Sequence, residues 1–241
     1  MTGQQNIFTF GIAAAPVSTT LAALTRPPNR RTVPGLVHAE ILMPMALGSS
    51  VFSPKRMQLN RLTMFAAWDS EQAIDDFLAS AKLGKVLAAG WHMRMRFLRR
   101  WGSVREFADL PESTGESDPA APVAAYTLAR MRLPELARFI HWGRPVEALV
   151  RDHPETTLAL AAIRYPRSIA TFSVWKSQQA MTDMVRGHSQ IDQPKRHIDA
   201  MKERSRRDFH HEFTTLRFQP VSEHGSWNGV SEYIPNGPNT P

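Results

Sequence analysis

Two stretches of the chain carry the same pattern, FAAWDSEQAIDD at residues 65–76 and FSVWKSQQAMTD at residues 172–183. They share Phe, Trp, Ser, Gln, Ala and Asp at identical spacing, which is six matches in twelve positions. In each copy an apolar run ends at the Trp, and the Ser two residues later is a preferred helix N-cap, so each copy predicts a strand followed directly by a helix. The repeat therefore predicts two copies of one structural unit.

The same order of elements surrounds both copies. Strand-like and helical runs precede them at residues 7–12, 19–25 and 36–47 in the first half and at residues 124–132, 136–151 and 157–164 in the second, and closing strands follow at residues 92–101 and 212–219. Each half therefore reads β-α-β-β-α-β, the ferredoxin-like order. Two such sheets packed face to face cover each other and enclose a cavity. The predicted fold is α+β, with tandem ferredoxin-like repeats forming an intrachain dimeric α+β barrel.

A linker separates the two halves. Residues 109–122, DLPESTGESDPAAP, are acidic and rich in Pro, Ser and Gly, a composition typical of linkers. We divide the chain into an N-terminal repeat of residues 1–108, a linker of residues 109–121, a C-terminal repeat of residues 122–220 and a tail of residues 221–241. We expect a pseudo-twofold axis between the repeats, with an interface made by the strands that end at Trp68 and Trp175.

Composition excludes several classes of chemistry. The chain has 241 residues and no cysteine, which excludes disulfides, iron–sulfur clusters and a cysteine nucleophile. No apolar run reaches about 18 residues, so no membrane span is expected. The N-terminus lacks the positive region of a secretory signal, and we expect a cytoplasmic protein. No G-x-S-x-G, P-loop, G-x-G-x-x-G or H-E-x-x-H motif occurs in the sequence.

The net charge of +7 is compatible with nucleic acid, an anionic membrane face or an anionic small ligand as partner, and also with basic faces that are simply solvated. Neither of the two basic groups in the sequence carries a nucleic-acid-binding motif, so we expect no nucleic-acid partner and consider an anionic small ligand instead. The basic groups are Arg94, Arg96, Arg99, Arg100 and Arg105, and then Lys195, Arg196, Lys202, Arg204, Arg206 and Arg207.

Several motifs of the second half occur together in one known family. They are TFSVW at residues 171–175, a helix ending in His197, Phe209, a strand at residues 212–218 and HGSWNG at residues 224–229. With these motifs the chain resembles the spheroidene monooxygenases, haem-dependent oxygenases of carotenoid metabolism. It departs from that family at residues 186–194, RGHSQIDQP, where we expect the family to have a shorter helix joint.

The resemblance implies a haem-dependent monooxygenase that uses dioxygen or peroxide to oxidise an apolar small molecule held between the two sheets. The cofactor would be haem b, whose iron takes His, Tyr or Met in a chain without cysteine. His197 is the favoured iron ligand, because haem-degrading relatives of the barrel place their ligand on the helix after the third strand. Lys195, Arg196 and Arg204 would then pair with the haem propionates. An electron donor and a homo-oligomeric state are left open.

Other histidines and other functions remain open at this point. His141, between Phe139 and Trp142, is the alternative iron ligand, because chlorite dismutase-like members of the superfamily use that helix. The equivalent first-half helix offers only Lys82 and Lys85, which predicts one haem per chain. Each of these histidines also has an interpretation without a functional role, in which His197 is an exposed helix residue and His141 is a core residue.

Two further functions compete with the haem enzyme. One is a cofactor-free monooxygenase of the antibiotic-biosynthesis type, and the other is a non-catalytic barrel that binds haem or a hydrophobic ligand. His210 and His211 are adjacent, so in a strand they point to opposite faces and one of them is expected to face inward.

Overall fold

The computed structural model of the protein describes residues 7–47, 56–115 and 118–235. The first half contains the four strands and three helices of a ferredoxin-like unit, with its second helix broken in two. These elements are β1 (Ile7–Ala14), α1 (Val17–Thr25), β2 (Leu36–Met45), β3 (Arg61–Trp68), α2 (Glu71–Ser80), α3 (Lys82–Ala88) and β4 (Trp91–Ser103). No described helix is both long and apolar enough to span a membrane.

The second half repeats this order. Its elements are β5 (Val123–Met131), α4 (Leu136–Arg151), β6 (Thr156–Arg164), β7 (Ser168–Trp175), α5 (Gln178–Arg186), α6 (Arg196–Arg206) and β8 (His210–His224). Helix α5 ends at Gly187, whose φ of +70° is the left-handed conformation that glycine adopts at helix C-termini. The prediction that one helix ends in His197 is therefore wrong, because His197 lies in the first turn of a separate helix, α6.

The eight strands form one closed antiparallel barrel in the order β1-β3-β2-β6-β7-β5-β8-β4. The two halves are joined where β2 pairs with β6 and where β4 pairs with β8. The strands that end at Trp68 and Trp175 do not pair with the other half, but their inward rings, Phe65 and Phe172, pack against it across the barrel. Those strands, β3 and β7, are central strands that pair on both sides within their own halves.

The two copies of the sequence motif nevertheless occupy equivalent places. Trp68 and Trp175 each end a central strand, and each is 1% exposed beneath the helices of its own half. Helices α2 and α5 begin after Ser70 and Ser177, whose hydroxyls accept a hydrogen bond from the backbone N–H three residues on, at 3.2 and 3.1 Å. The local signal read from the repeat is confirmed in both halves.

Aromatic rings fill the space between the two sheets. Phe10 stacks on Phe172 at a centroid distance of 3.9 Å, and Phe65 stacks on Tyr126 at 3.8 Å. The strand register pairs Phe10 with Phe65 and Tyr126 with Phe172, so the two stacks are related by the pseudo-twofold axis. No water-sized space remains between these rings. The prediction of a substrate cavity between the sheets is therefore wrong, because large inward side chains fill that space.

A buried ion cluster lies in the barrel, among the inward side chains of β2 and β5. Arg130 on β5 contacts Glu40 at 3.2 Å, Glu106 at 2.9 Å and also Glu212, and Arg164 contacts Glu40 at 2.8 Å. Glu40 is 1% exposed, so these partners compensate a carboxylate that would otherwise be costly to bury.

The chain beyond β8 folds back onto the barrel. Tyr233 and Ile234 join the barrel core, and their backbone N–H groups donate to Glu223 at 3.0 and 2.7 Å. The indole N–H of Trp91 donates to the same carboxylate at 2.9 Å. The residues after β8 thus contribute to the core of the barrel.

Candidate functional site

The outer face of the first-half sheet is closed by its helices. One row of outward side chains crosses this face in register: His92, Gly11, Met64 and Ile41. All four are buried, and Met64 is 2% exposed. Helix α3 packs directly on β1 and β4, and a Cβ at Gly11 would lie 3.3 Å from Cδ2 of Leu87 on that helix. A cavity of about 20 Å³ lies along this row, enough for one water.

The equivalent row of the second half is open to solvent. Tyr126, Phe172 and Leu216 point into the barrel, and side chains alternate along a strand, so the neighbouring threonines point outward. These are Thr215, Thr127 and Thr171, which lie side by side in register on β8, β5 and β7. Thr171 is exposed although β7 is a central strand, and the other two are half-buried. We call this row the threonine strip.

The threonine strip is open because α6 does not cover the sheet as α3 does in the first half. Helix α6 packs mainly against α4 and α5, whereas α3 packs on the sheet. Buried apolar residues of the second-half outer face fall into two separate clusters. One contains Val123, Leu149, Trp175, Met181 and Met184, and the other contains Ala129, Met131 and Phe209 with the partly buried Phe139, Trp142, Ile169 and Phe213.

One side of helix α6 carries both His197 and Arg204, and Arg204 reaches the outer sheet face. The guanidinium of Arg204 lies 3.8 Å from the ring centroid of Phe213, which is in register with Ala129 two residues along β5 from Thr127. Since His197 precedes Arg204 by seven residues, or two helical turns, both side chains lie on the same side of α6.

The imidazole of His197 has a defined tautomer. Its Nδ1 lies 3.1 Å from the carbonyl oxygen of Val185, and because a carbonyl can only accept, Nδ1 carries the proton. Burial lowers the pKa of His197, partly opposed by this hydrogen bond, so the ring is neutral at pH 7. Nε2 has no hydrogen-bond partner among the described residues and keeps its lone pair. This is the arrangement of metal-ligating histidines.

The other predicted cofactor-binding residues differ in placement. Arg204 shares the His197 side of α6 and lies 3.5 Å from Asp208. Arg196 donates to the side chain of Gln193, and Lys195 is exposed. A role of these three residues toward propionates stays a prediction.

The alternative ligand, His141, is exposed on α4 and contacts the ring of its neighbour Trp142 at 5.6 Å. In the first half, Lys82 and Lys85 are exposed on α3. Within the part of the chain that the structure describes, no group of three or more His, Asp or Glu residues could hold a metal ion.

His210 was not among the candidate site residues that the sequence predicted. This residue is 4% exposed, with its ring 5.7 Å from Phe139 and 5.0 Å from Phe213. Nδ1 lies 3.0 Å from Asp208, and Nε2 is buried with no partner in the described structure. Burial, and then the charge of Arg204, lower its pKa to about 4. An unpaired buried acceptor costs about 1–3 kcal/mol, which favours a bound molecule that donates to it.

The fold is shared with solved structures of very different sequence. No protein-family model matches the chain, and no curated protein matches its sequence. An aldoxime dehydratase matches with a TM-score of 0.54 and 8% identity, over 91% of this chain and 83% of that one. A Fusobacterium nucleatum protein named as a monooxygenase matches with a TM-score of 0.40 and 8% identity, over 95% and 98% of the two chains. The haem-degrading enzyme of Listeria monocytogenes matches with a TM-score of 0.30 and 9% identity, over 88% and 99%. The protein thus shares its fold with the aldoxime dehydratase, at very low sequence identity.

Proposed function

We propose that the protein is a haem-dependent monooxygenase, similar to the spheroidene monooxygenases, that binds one haem b on the threonine strip. It would oxidise an apolar small molecule with dioxygen or peroxide. One pair of observations carries this proposal. Within the described residues, the middle of the outer sheet face is covered in the first half and open in the second, and the neutral His197 lies on the side of α6 from which Arg204 reaches that second face.

The residues around the strip suit a flat cofactor. Threonine side chains are short, so a planar ring can lie close to the sheet at Thr127 and Thr171. The two apolar clusters on either side would bury the edges of the ring, and Nε2 of His197 would bind the iron. The Val185 carbonyl fixes the His197 ring and increases the basicity of Nε2, as outer partners of ligating histidines do.

Haem supplies the activation of oxygen when it is bound. The chain supplies the surroundings in which that chemistry is selective. Phe139, Trp142 and Phe213 offer an apolar wall that excludes water and suits an apolar substrate. His210, with its unpaired Nε2, would accept a hydrogen bond from a hydroxyl on the substrate or product and so orient it.

Haemin titration tests the cofactor and its ligand. The wild-type protein should give a shifted Soret band that saturates at one haem per chain. His197→Ala should weaken binding about tenfold or more, whereas His141→Ala, which changes an exposed residue of α4, should bind as the wild type does. The opposite pattern would move the ligand to α4, and unchanged binding in both variants would refute a histidine ligand at either position.

Turnover separates an enzyme from a binding protein. Haem-loaded protein with a reductant, or with peroxide alone, should oxidise a carotenoid-like or other apolar substrate. Tight haem binding without oxidation across a broad panel of apolar substrates would instead support the non-catalytic barrel.

The unpaired Nε2 of His210 favours one second candidate, the cofactor-free monooxygenase. In that reaction the substrate itself must lose a proton before it reacts with oxygen, and a neutral imidazole is a general base. Haem-free protein would then consume oxygen with its substrate, and His210→Gln would lose that activity while His141→Gln kept it. No oxygen consumption by the haem-free protein would exclude this candidate.

A further inference from the structure

Three arginines gather where the threonine strip meets β4. Arg99 on β4 and Arg217 on β8 are directly opposite each other in the strand register. Arg186, in the last turn of α5, is close enough for its charge to act on Arg217. Arg217 also donates to Oγ1 of Thr182 on α5 at 3.3 Å. Two strands and one helix thus present guanidinium groups to the same place.

An aromatic ring holds two of these groups in position. Trp101 lies between them, with the guanidinium carbons of Arg99 and Arg217 at 4.5 and 4.4 Å from its ring centroids. Trp101 is in register with Thr215. The tryptophan therefore continues the row of the threonine strip, and Arg99 and Arg217 lie in the neighbouring row, two residues along β4 and β8.

The positive charge of this cluster is not neutralised. Among the described residues, Arg99, Arg186 and Arg217 have no carboxylate within ion-pair distance, in contrast to Arg130. Like charges directly opposite on neighbouring strands are destabilising. Arg217 is half-buried, and burial, followed by the charges of Arg99 and Arg186, lowers its pKa to about 10. An anion bound here would remove this repulsion.

We propose that Arg99, Arg186 and Arg217 form an anion site that binds the carboxylates of the molecule lying on the threonine strip. Planar guanidinium groups suit carboxylates because they donate two parallel hydrogen bonds. This inference rests on the proposed function: with haem on the strip, the carboxylates are its propionates, held from the β4 side of the sheet and not by Lys195 and Arg196.

Esterified haem isolates the charge from the iron ligand. Arg217→Gln should weaken haemin binding about tenfold, and Arg99→Gln should weaken it less, because Arg99 is more exposed. Haemin dimethyl ester, whose propionates carry no charge, should bind the wild type and both variants equally. Lys202→Gln, an exposed change on α6, is the matched control and should leave both affinities unchanged. Equal haemin affinity in Arg217→Gln and the wild type, or the same loss with the ester, would overturn the proposal.

Two further measurements separate this proposal from the proposed function. Arg217→Lys keeps the charge and the aliphatic stem, so partial recovery of haemin binding is expected, and recovery excludes simple misfolding as the cause. Inorganic phosphate should raise the melting temperature of the wild type but not of Arg217→Gln, whether or not haem binds. Phosphate stabilisation without haem binding would retain the anion site and reject the haem enzyme. Equal stabilisation of both proteins would reject the anion site.

Discussion

The outer faces of the two sheets differ although the strands beneath them are copies of one unit. In the first half, Met64 lies in the middle of one continuous apolar cluster, covered by α2 and α3. In the second half the equivalent residue is Thr171, which is exposed between two separate clusters. One face is packed beneath helices, and the middle of the other is exposed to solvent.

The difference arises from the helices that follow the central strands. A single residue, Ala81, separates α2 from α3, so α3 stays on the sheet. In the second half, residues 187–195 separate α5 from α6, and α6 packs on helices instead. A longer joint between the helices, with threonines on the sheet, accompanies the change from a packed face to an open one.

The largest expected effect separates the two faces by stability. Met64→Ala should lower the free energy of unfolding by about 2–5 kcal/mol, because it empties part of a packed cluster. Thr171→Ala, at the equivalent exposed position, should change it by about 0.5 kcal/mol or less. Urea denaturation of both variants measures the two effects. Similar losses would mean that the second face is as closed as the first.

A smaller effect depends on pH and belongs to the closed face. Burial, and then the charges of His224 and Arg94, lower the pKa of His92 to about 4, with Asp75 opposing. The unfolded chain binds this proton near pH 6.5 and the folded chain does not. The free energy of unfolding should therefore reach its full value above pH 6.5. It should fall by about 1–3 kcal/mol as the pH drops toward 4.

His92→Gln removes this titration, so its stability should depend less on pH between 4 and 6.5. His141→Gln alters an exposed histidine and should keep the wild-type dependence. Unfolding free energies measured across this range test the assignment, and identical slopes in the wild type and His92→Gln would contradict it.

A third substitution should change binding clearly and stability only slightly. Thr171→Met introduces on the open face the residue type that Met64 provides at the equivalent position of the closed face. The longer side chain should reduce haemin affinity about tenfold and alter the free energy of unfolding by about 1 kcal/mol or less. Thr171→Ser keeps the short side chain and should bind haemin normally. Unchanged binding in Thr171→Met would show that the ligand does not lie on the strip.

The repeat predicts the fold well because strand, cap and helix signals are local. The Trp and Ser of each copy lie where the sequence places them. Closure of the barrel through β2 with β6 and β4 with β8 is not encoded in the repeat, since each half specifies only its internal pairs. The separate helix α6 had a usable signal: Gly187 and Pro194 bound the joint, and they are typical of a helix end and a helix start.

The site was predicted less well than the fold. The resemblance pointed to His197. The sequence did not predict on which face of the sheet the proposed ligand would lie, because alternation along a strand distinguishes the two faces without showing which one is open. Phe10, Phe65, Tyr126 and Phe172 fill the interior, and only their packing reveals this. Arg217 is a candidate only because it lies opposite Arg99, which is far away in the sequence. No local sequence pattern predicts that these two residues are neighbours.

Barrel closure also has a consequence for synthesis of the chain. While only the first half has emerged from the ribosome, β2 and β4 are the unpaired edges of its sheet, and such edges pair readily with other chains. They are protected only when β6 and then β8 arrive, and β8 is the last strand of the described barrel. The nascent chain therefore stays exposed to misassembly until β8 has been synthesised, and chaperones that shield sheet edges should increase its yield more than those that act after release.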